Sequence, residues 1–324
     1  HYPLRRQRQM CIRDSYDLVH SQGFSAAFLS GIALIGRKTP HLITVHDVFT
    51  SSLIRGKKRF FPYAFGMVAR RAHAVHCVSN DCMANILEFV PSLAKHRRKL
   101  VSVTNGIEIA RFLGDDALDF RKDLDLPGGA FLIGFMGRFM SQKGFRYLVD
   151  ALELIVREGS GSRTPIVLSF GEGGFVREDR AEVYRRGLDG NFRFLPFVPN
   201  VAESLRGLDI LAMPSLWEAC GILAMEALVA GTPLVGTSCI GLREVLSGTP
   251  AKVVPPADAR ALADALLLEM ENSTKTVAEE FRQQAAERFD VSRQVQTLLA
   301  LIDKICTQSE NESARAQAPS GTHE

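Results

Sequence analysis

Short apolar runs alternate along this chain with stretches whose apolar positions recur at helical spacing. From Tyr16 the runs 17–20, 41–46, 74–79 and 100–104 read as strands. The stretches 22–36, 60–72 and 81–89 between them read as helices, with Gly36 ending the first and Ser79 capping the third. Asn105-Gly106 marks a turn after the fourth strand. A polar stretch, 115–129, ends in Pro127-Gly128-Gly129 and is the best domain boundary. A second series follows, with strands at 131–136, 165–170, 192–195, 209–213, 233–236 and 251–254. Helical patterns occupy 145–158, 176–187, 201–207, 222–230 and 242–247, and then 259–270, 277–289 and 292–305 after Pro255-Pro256. Near-continuous apolar strands separated by helices imply α/β architecture with parallel sheets covered on both faces. Six strands make the second domain a complete doubly wound unit. The first has four and lacks the strand, Gly-rich turn and helix that should open it.

The 324 residues favour two domains. No apolar stretch is long enough for a membrane helix. Net charge is +3, and the four arginines and one aspartate among the first fifteen residues account for all of it. The body is neutral, and no aromatic residues interleave its basic runs, so nucleic acid is not an expected partner. Residues 5–15 follow neither a helical nor a strand period. They resemble a translated adaptor read-through, so 1–15 is expected to be a foreign or disordered leader, with native sequence from Tyr16 and its true start missing. The domain reading is 16–126, 127–290, a C-terminal helix at 291–306 and a disordered tail at 307–324. The six cysteines show no C-x2-C spacing, which argues against zinc and for reduced thiols in the cytoplasm.

Chemistry concentrates between Pro214 and Pro233. Glu218 lies in a loop at a strand's C-terminal end, where doubly wound sheets bind ligands. Glu226 follows two turns into the next helix. Gly221 permits close backbone approach, and the N–H groups of Ile222 and Leu223 at the helix start would face an anion or hydroxyl. After the first strand of the second domain comes Gly137-Arg138-Phe139-Met140-Ser141-Gln142-Lys143-Gly144. An Arg fork and a Lys point charge at a helix start suit a diphosphate. Gly171-Glu172-Gly173-Gly174 follows the next strand and is not a dinucleotide fingerprint, because Val176 takes the last glycine's place. In the first domain, Thr44-Val45-His46-Asp47 ends a strand.

These motifs together resemble glycosyltransferase family 4. That family has the GT-B fold, two Rossmann-like doubly wound domains facing across a cleft, of which the first would here be incomplete. The Glu-x7-Glu signature between Pro-Ser and Gly-x-Pro matches closely, departing at Ala219-Cys220, where the family usually has Gly or Pro and then Phe. Gly174 likewise replaces a family Pro. The resemblance implies that Glu218 meets donor-sugar hydroxyls and Glu226 the ribose. It implies that the amides of Gly221, Ile222 and Leu223 line the sugar and phosphate, and that Arg138 and Lys143 stabilise the leaving diphosphate. His46 would face the reaction centre with Asp47 orienting its ring. His20 would be structural. Gly137, Gly171 and Gly173 would lie beside the nucleotide, and Phe197 beside its base.

The implied activity is a retaining transfer from a nucleotide-sugar donor to a glycan, lipid-linked or small-molecule hydroxyl, without metal or other cofactor. The enzyme would be cytoplasmic, with peripheral contact at the inner membrane face through the basic runs 55–59 and 95–99. A non-catalytic nucleotide-sugar-binding protein is the alternative reading. An NAD-dependent dehydrogenase is disfavoured by the absence of G-x-G-x-x-G.

Overall fold

A computed structural model describes residues 16–50, 60–159, 161 and 163–317. The leader 1–15, the basic run 55–59 and the last residues of the tail, 318–324, lie outside the described residues. Contacts divide the chain into two compact units, one ending at Thr104 and resuming at Arg293, the other spanning Asn105–Ser292.

The first unit holds a four-stranded parallel sheet of β1 (Val19–Gln22), β2 (His41–Val45), β3 (Ala74–Cys77) and β4 (Leu100–Ser102), side by side in chain order. Helices α1 (Gly23–Ala33), α2 (Phe61–Arg71) and α3 (Asn80–Phe89) connect them. Every residue of β2 and β3 is buried. The cap at Ser79 forms as the sequence suggests, its hydroxyl accepting from the Cys82 amide at 3.0 Å.

In the second unit, α4 (Phe120–Asp123) precedes a six-stranded parallel sheet. Its strands are β5 (Phe131–Met136), β6 (Pro165–Phe170), β7 (Phe192–Leu195), β8 (Ile210–Met213), β9 (Leu234–Thr237) and β10 (Lys252–Val254), in the order β10-β9-β8-β5-β6-β7. The helices are α5 (Phe145–Glu158), α6 (Val176–Arg185), α7 (Val201–Arg206), α8 (Ile222–Ala230), α9 (Arg243–Leu246), α10 (Ala259–Glu271) and α11 (Lys275–Phe289). The chain runs β5 to β7 one way and β8 to β10 the other. The order therefore switches between β5 and β8, which pair only at Ile133–Ile210 and Gly134–Leu211. Loops leaving these two strands diverge and open a crevice at their C-terminal ends. Beneath it, Phe135, Phe139, Phe145, Phe192 and Phe194 form an aromatic core with ring centroids 4.9–6.2 Å apart.

Two boundaries differ from the sequence reading. The first domain ends at Thr104 rather than at 126, because residues 105–126 bond to the second unit. The Ile107 amide donates to the Phe289 carbonyl at 2.8 Å, Leu118 donates to Glu203 at 3.1 Å, and the Arg121 guanidinium pairs with Asp209. The expected disordered tail is helical as far as the described residues run. A single helix, α12 (Val291–Gln317), extends well past residue 306. Its Ile305 is buried against Leu42 and Ala74, with Leu301 and Ile302 beside it, which ties this helix to the first unit's core.

Candidate functional site

A cavity of about 840 Å³ opens at the switch point of the second sheet. Its walls come from the loops after β5, β6, β7 and β8, together with α8. Gly137, Arg138, Lys143, Gly171, Gly173, Phe197, Glu218, Gly221, Ile222, Leu223 and Glu226 all line it. His46 belongs to the other unit, at the end of β2.

The loops are drawn together by backbone contacts only glycine allows. Gly144 has φ +68°, and a Cβ there would sit 1.9 Å from the Pro214 carbonyl oxygen. Gly171 has φ +131°, and its Cβ would lie 2.1 Å from the Gly137 oxygen. Both positions combine a left-handed backbone with an approach that excludes any side chain. The Phe139 amide donates to the Glu172 carbonyl at 3.0 Å, joining the loops after β5 and β6. The Leu216 amide donates to the Gln142 carbonyl at 2.8 Å, joining those after β5 and β8.

Glu218 is buried, and its carboxylate is fully organised. Oε1 accepts from Lys143 Nζ at 2.7 Å and from Ser215 Oγ at 2.8 Å. Oε2 lies 3.5 Å from Gln142 Nε2, which also donates to the Trp217 carbonyl at 2.9 Å. Thr237 Oγ1 donates to the Ser215 carbonyl at 2.5 Å and fixes the turn from β9. Such a carboxylate keeps lone pairs on Oε2 for ligand hydroxyls. Ser215 and Gln142 are contributors that the sequence reading did not single out. Ser215 was visible in the Pro-Ser of the motif, but Gln142 carried no signal beyond its place between Arg138 and Lys143.

Glu226 lies one turn into α8, not two, because the helix begins at Ile222. Ile222, Leu223 and Glu226 thus share the face turned to the cavity. Glu226 makes no hydrogen bond or ion pair among the described residues. Burial holds its carboxyl above the usual range, with Arg111 pulling weakly the other way. Arg138 is exposed and forms no ion pair among the described residues, which leaves its guanidinium open to an anion.

One expectation fails in part. The Gly221 amide donates to the Gly241 carbonyl at 3.3 Å and the Ile222 amide to Cys220 at 2.9 Å, so two of the three amides assigned to ligand are already engaged. Asp47 does not orient His46 either. Its Oδ1 accepts from the Val48 amide at 2.8 Å, while His46 Nε2 lies 2.5 Å from Gln22 Oε1. In the basic run 95–99, Lys99 donates to the Arg70 and Ala72 carbonyls and Arg97 to Leu100, so these two cations serve the fold. Met136, Phe170, Glu172, Val198, Val201, Met213 and Cys220 complete the lining. Met136, Phe170 and Met213 lie at strand ends, where the apolar pattern reports burial and is silent about a cavity. No cluster of His, Cys, Asp and Glu among the described residues could hold a metal, and no helix among them is long and apolar enough to cross a membrane.

Family models match two long segments of the chain. Residues 2–111 match the family model described as Glycosyltransferase Family 4, and 130–272 match the one described as Glycosyl transferases group 1. The chain is 30% identical over 276 residues to a 2-deoxystreptamine N-acetyl-D-glucosaminyltransferase from Streptomyces fradiae, an alignment covering 80% of this chain and 64% of that one. It is 27% identical to a D-inositol 3-phosphate glycosyltransferase from Corynebacterium urealyticum, covering 95% and 76%. The chain thus spans just under two thirds of the first relative's length. Among solved structures, Anabaena HepE in complex with UDP and glucose superposes with a TM-score of 0.80 at 21% identity, covering 92% of this chain and 81% of that one. The sucrose-phosphate synthase of Thermosynechococcus elongatus gives 0.70 at 20%, covering 94% and 74%.

Proposed function

The chain belongs to glycosyltransferase family 4 and has its GT-B architecture of two Rossmann-like units, and from that premise we propose that it moves a sugar from a nucleotide donor to an acceptor hydroxyl with retention at the anomeric carbon. The observation that carries this reading is the switch-point cavity, in which an open arginine and a lysine lie beside two carboxylates.

Glu226, unpaired among the described residues, accepts from the ribose hydroxyls. Phe197, 71% exposed at the rim, offers a face for the base. Arg138 and Lys143 take the diphosphate, whose negative charge grows as the glycosidic bond breaks. Their two cations supply that stabilisation without requiring a metal. Glu218 binds sugar hydroxyls through Oε2, and the family resemblance assigns His46 to the sugar as well. The departing phosphate oxygen takes the acceptor's proton on the face it leaves from, so no dedicated base is needed. A glycan, a lipid-linked glycan or a small polyol is the proposed acceptor class. A station at the inner membrane face is part of the same reading. Tyr63 and Met67 are exposed along α2, with Phe60 exposed just before it and Arg70 and Arg71 at its end.

A thermal-shift panel with UDP, GDP, ADP, CMP and NAD tests the donor site. UDP comes first because the similar HepE structures hold it. A ligand at 100 times its Kd stabilises by about 2.7 kcal/mol. A shift with one nucleoside diphosphate, lost in Arg138→Ala and Glu226→Ala, supports the reading. A shift with NAD alone overturns it. Donor binding with no sugar release to any acceptor or to water favours a non-catalytic binding protein.

A further inference from the structure

The first unit carries a row of polar side chains that the donor cavity does not use. In the parallel register Gln22 on β1 pairs with Thr44 on β2, and Thr44 with His76 on β3. These three therefore share one face of the sheet, and His20 lies two residues back on the same face. Thr44 and His76 are 2% and 1% exposed. The distances make a continuous chain. His76 Nε2 lies 2.9 Å from the Val103 carbonyl oxygen, and its Nδ1 lies 3.0 Å from Thr44 Oγ1. Thr44 Oγ1 lies 2.7 Å from His20 Nε2. Gln22 Nε2 lies 3.5 Å from His20 Nδ1, and Gln22 Oε1 lies 2.5 Å from His46 Nε2.

The Val103 end sets the direction of every link. A carbonyl only accepts, so His76 carries its hydrogen on Nε2. Burial lowers the basicity of His76 and keeps the ring neutral, which leaves a lone pair on Nδ1. Thr44 gives its single hydrogen to that lone pair. Its oxygen then accepts from His20 Nε2–H. Gln22 Nε2 also lies 3.1 Å from His20 Nε2, but that nitrogen's hydrogen points to Thr44, so the amide's acceptor is Nδ1. With its NH2 turned to His20, Gln22 presents its oxygen to His46, which donates from Nε2. Nδ1 of His46 has no partner among the described residues.

We propose that His76, Thr44, His20 and Gln22 are positioning residues that fix His46 as the Nε2–H tautomer and present Nδ1 as an acceptor for a substrate hydroxyl. The tautomer assignment stands on the hydrogen-bond chain and on the buried, neutral His76 at its end. Its consequence for transfer rests on the reading that His46 meets the donor sugar.

The test uses the whole chain labelled with 15N-histidine, and long-range 1H–15N correlation of the rings, with His46 assigned from His46→Gln. The wild type is expected to show protonated Nε2 and unprotonated Nδ1 at His46. Thr44→Val keeps the side chain's shape but cannot donate, and is expected to give a mixture of His46 tautomers. Thr44→Ser, which restores the hydroxyl, returns the wild-type signature. The remaining histidine signals and circular dichroism report whether each variant folds. An Nδ1–H tautomer in the wild type, or an unchanged His46 signature in folded Thr44→Val, overturns the proposal. Transfer is then compared between Thr44→Val and Thr44→Ser, with a loss of about tenfold or more expected for the valine alone. A tautomer that shifts while transfer does not change leaves the positioning chain intact and removes His46 from the reaction.

Discussion

Lys143 Nζ lies 2.7 Å from Glu218 Oε1, so the loops after β5 and β8 meet through a charge pair at the point where the sheet order switches. Any diphosphate bound in the cavity shares that lysine with Glu218. The pair also means that a carboxylate which is 6% exposed depends on one cation, with one hydroxyl and a more distant amide beside it. Lys143→Met is expected to lower transfer by about 10²–10³-fold, the scale found when one preorganised donor to a developing charge is lost. Lys143→Arg is expected to recover only part, because a planar fork does not reproduce a point charge between two loops. Steady-state kinetics with the nucleotide sugar found by the binding panel checks both. Wild-type rates in Lys143→Met would remove this residue from the reaction.

On the proposed reading, Glu226 links nucleotide binding to pH. Burial raises its carboxyl pKa in the free protein. Ribose hydroxyls donating to the carboxylate would favour the charged form and lower that pKa. Binding therefore releases a proton below the raised pKa, and affinity rises with pH until the free carboxyl is ionised. Titration calorimetry with UDP between about pH 5 and pH 8 is expected to show this rise and then a plateau. Glu226→Gln is expected to bind more weakly and to lose the dependence. A Glu226→Gln profile parallel to wild type would assign the proton to another group.

Gly171 tests how closely the cavity loops must approach. Alanine there combines φ +131° with a Cβ 2.1 Å from a carbonyl oxygen. Gly171→Ala is expected to cost about 1–3 kcal/mol and to weaken UDP binding together with it. Gly128 has open space around its Cβ position and no left-handed backbone, so Gly128→Ala is the matched control and should be near neutral. Urea melts with and without UDP measure both effects.

Histidines make the first unit sensitive to acid. His41 is lowered to about 4 by burial first, then by His73 and His20, and Ser21 Oγ holds its Nε2 at 2.7 Å. The unfolded chain binds this proton near the ordinary value of about 6.5, so between there and about 4 the unfolded state carries more protons. Stability contributed by neutral His41 is present above that window and is lost as pH falls through it. The folding constant is expected to change by up to about tenfold per pH unit from this one group. His20, His46 and His76 are also lowered by burial and add to the slope. His41→Gln should flatten part of the acid limb in denaturant titrations, and an unchanged limb would exclude His41 as a contributor.

Much of the fold was legible because local burial writes itself into periodicity. The runs 131–136, 165–170 and 192–195 read as strands and are β5, β6 and β7 with the same limits. The stretches 145–158 and 222–230 likewise match α5 and α8. Strands buried on both faces carry unbroken apolar runs, and glycines bound them where loops turn sharply. The Glu-x7-Glu and Gly-Arg…Lys-Gly motifs were also visible, because each is contiguous in the chain.

The sequence by itself determined the α/β alternation and which short segments bear charge at strand ends. Tertiary structure alone decided their partners. Lys143 and Glu218 are 75 positions apart and meet only because β5 lies beside β8 in the sheet. The sequence pattern groups residues 105–126 with the first domain, yet Arg121 finds Asp209 and Leu118 finds Glu203, which places them in the second unit. The polar tail past residue 306 continues as helix, as far as the described residues run, with Ile305 anchored on Leu42 and Ala74. His46 is held by Gln22 across two paired strands rather than by its neighbour Asp47. Periodicity reports how deeply a residue is buried; strand order and register decide what it is buried against.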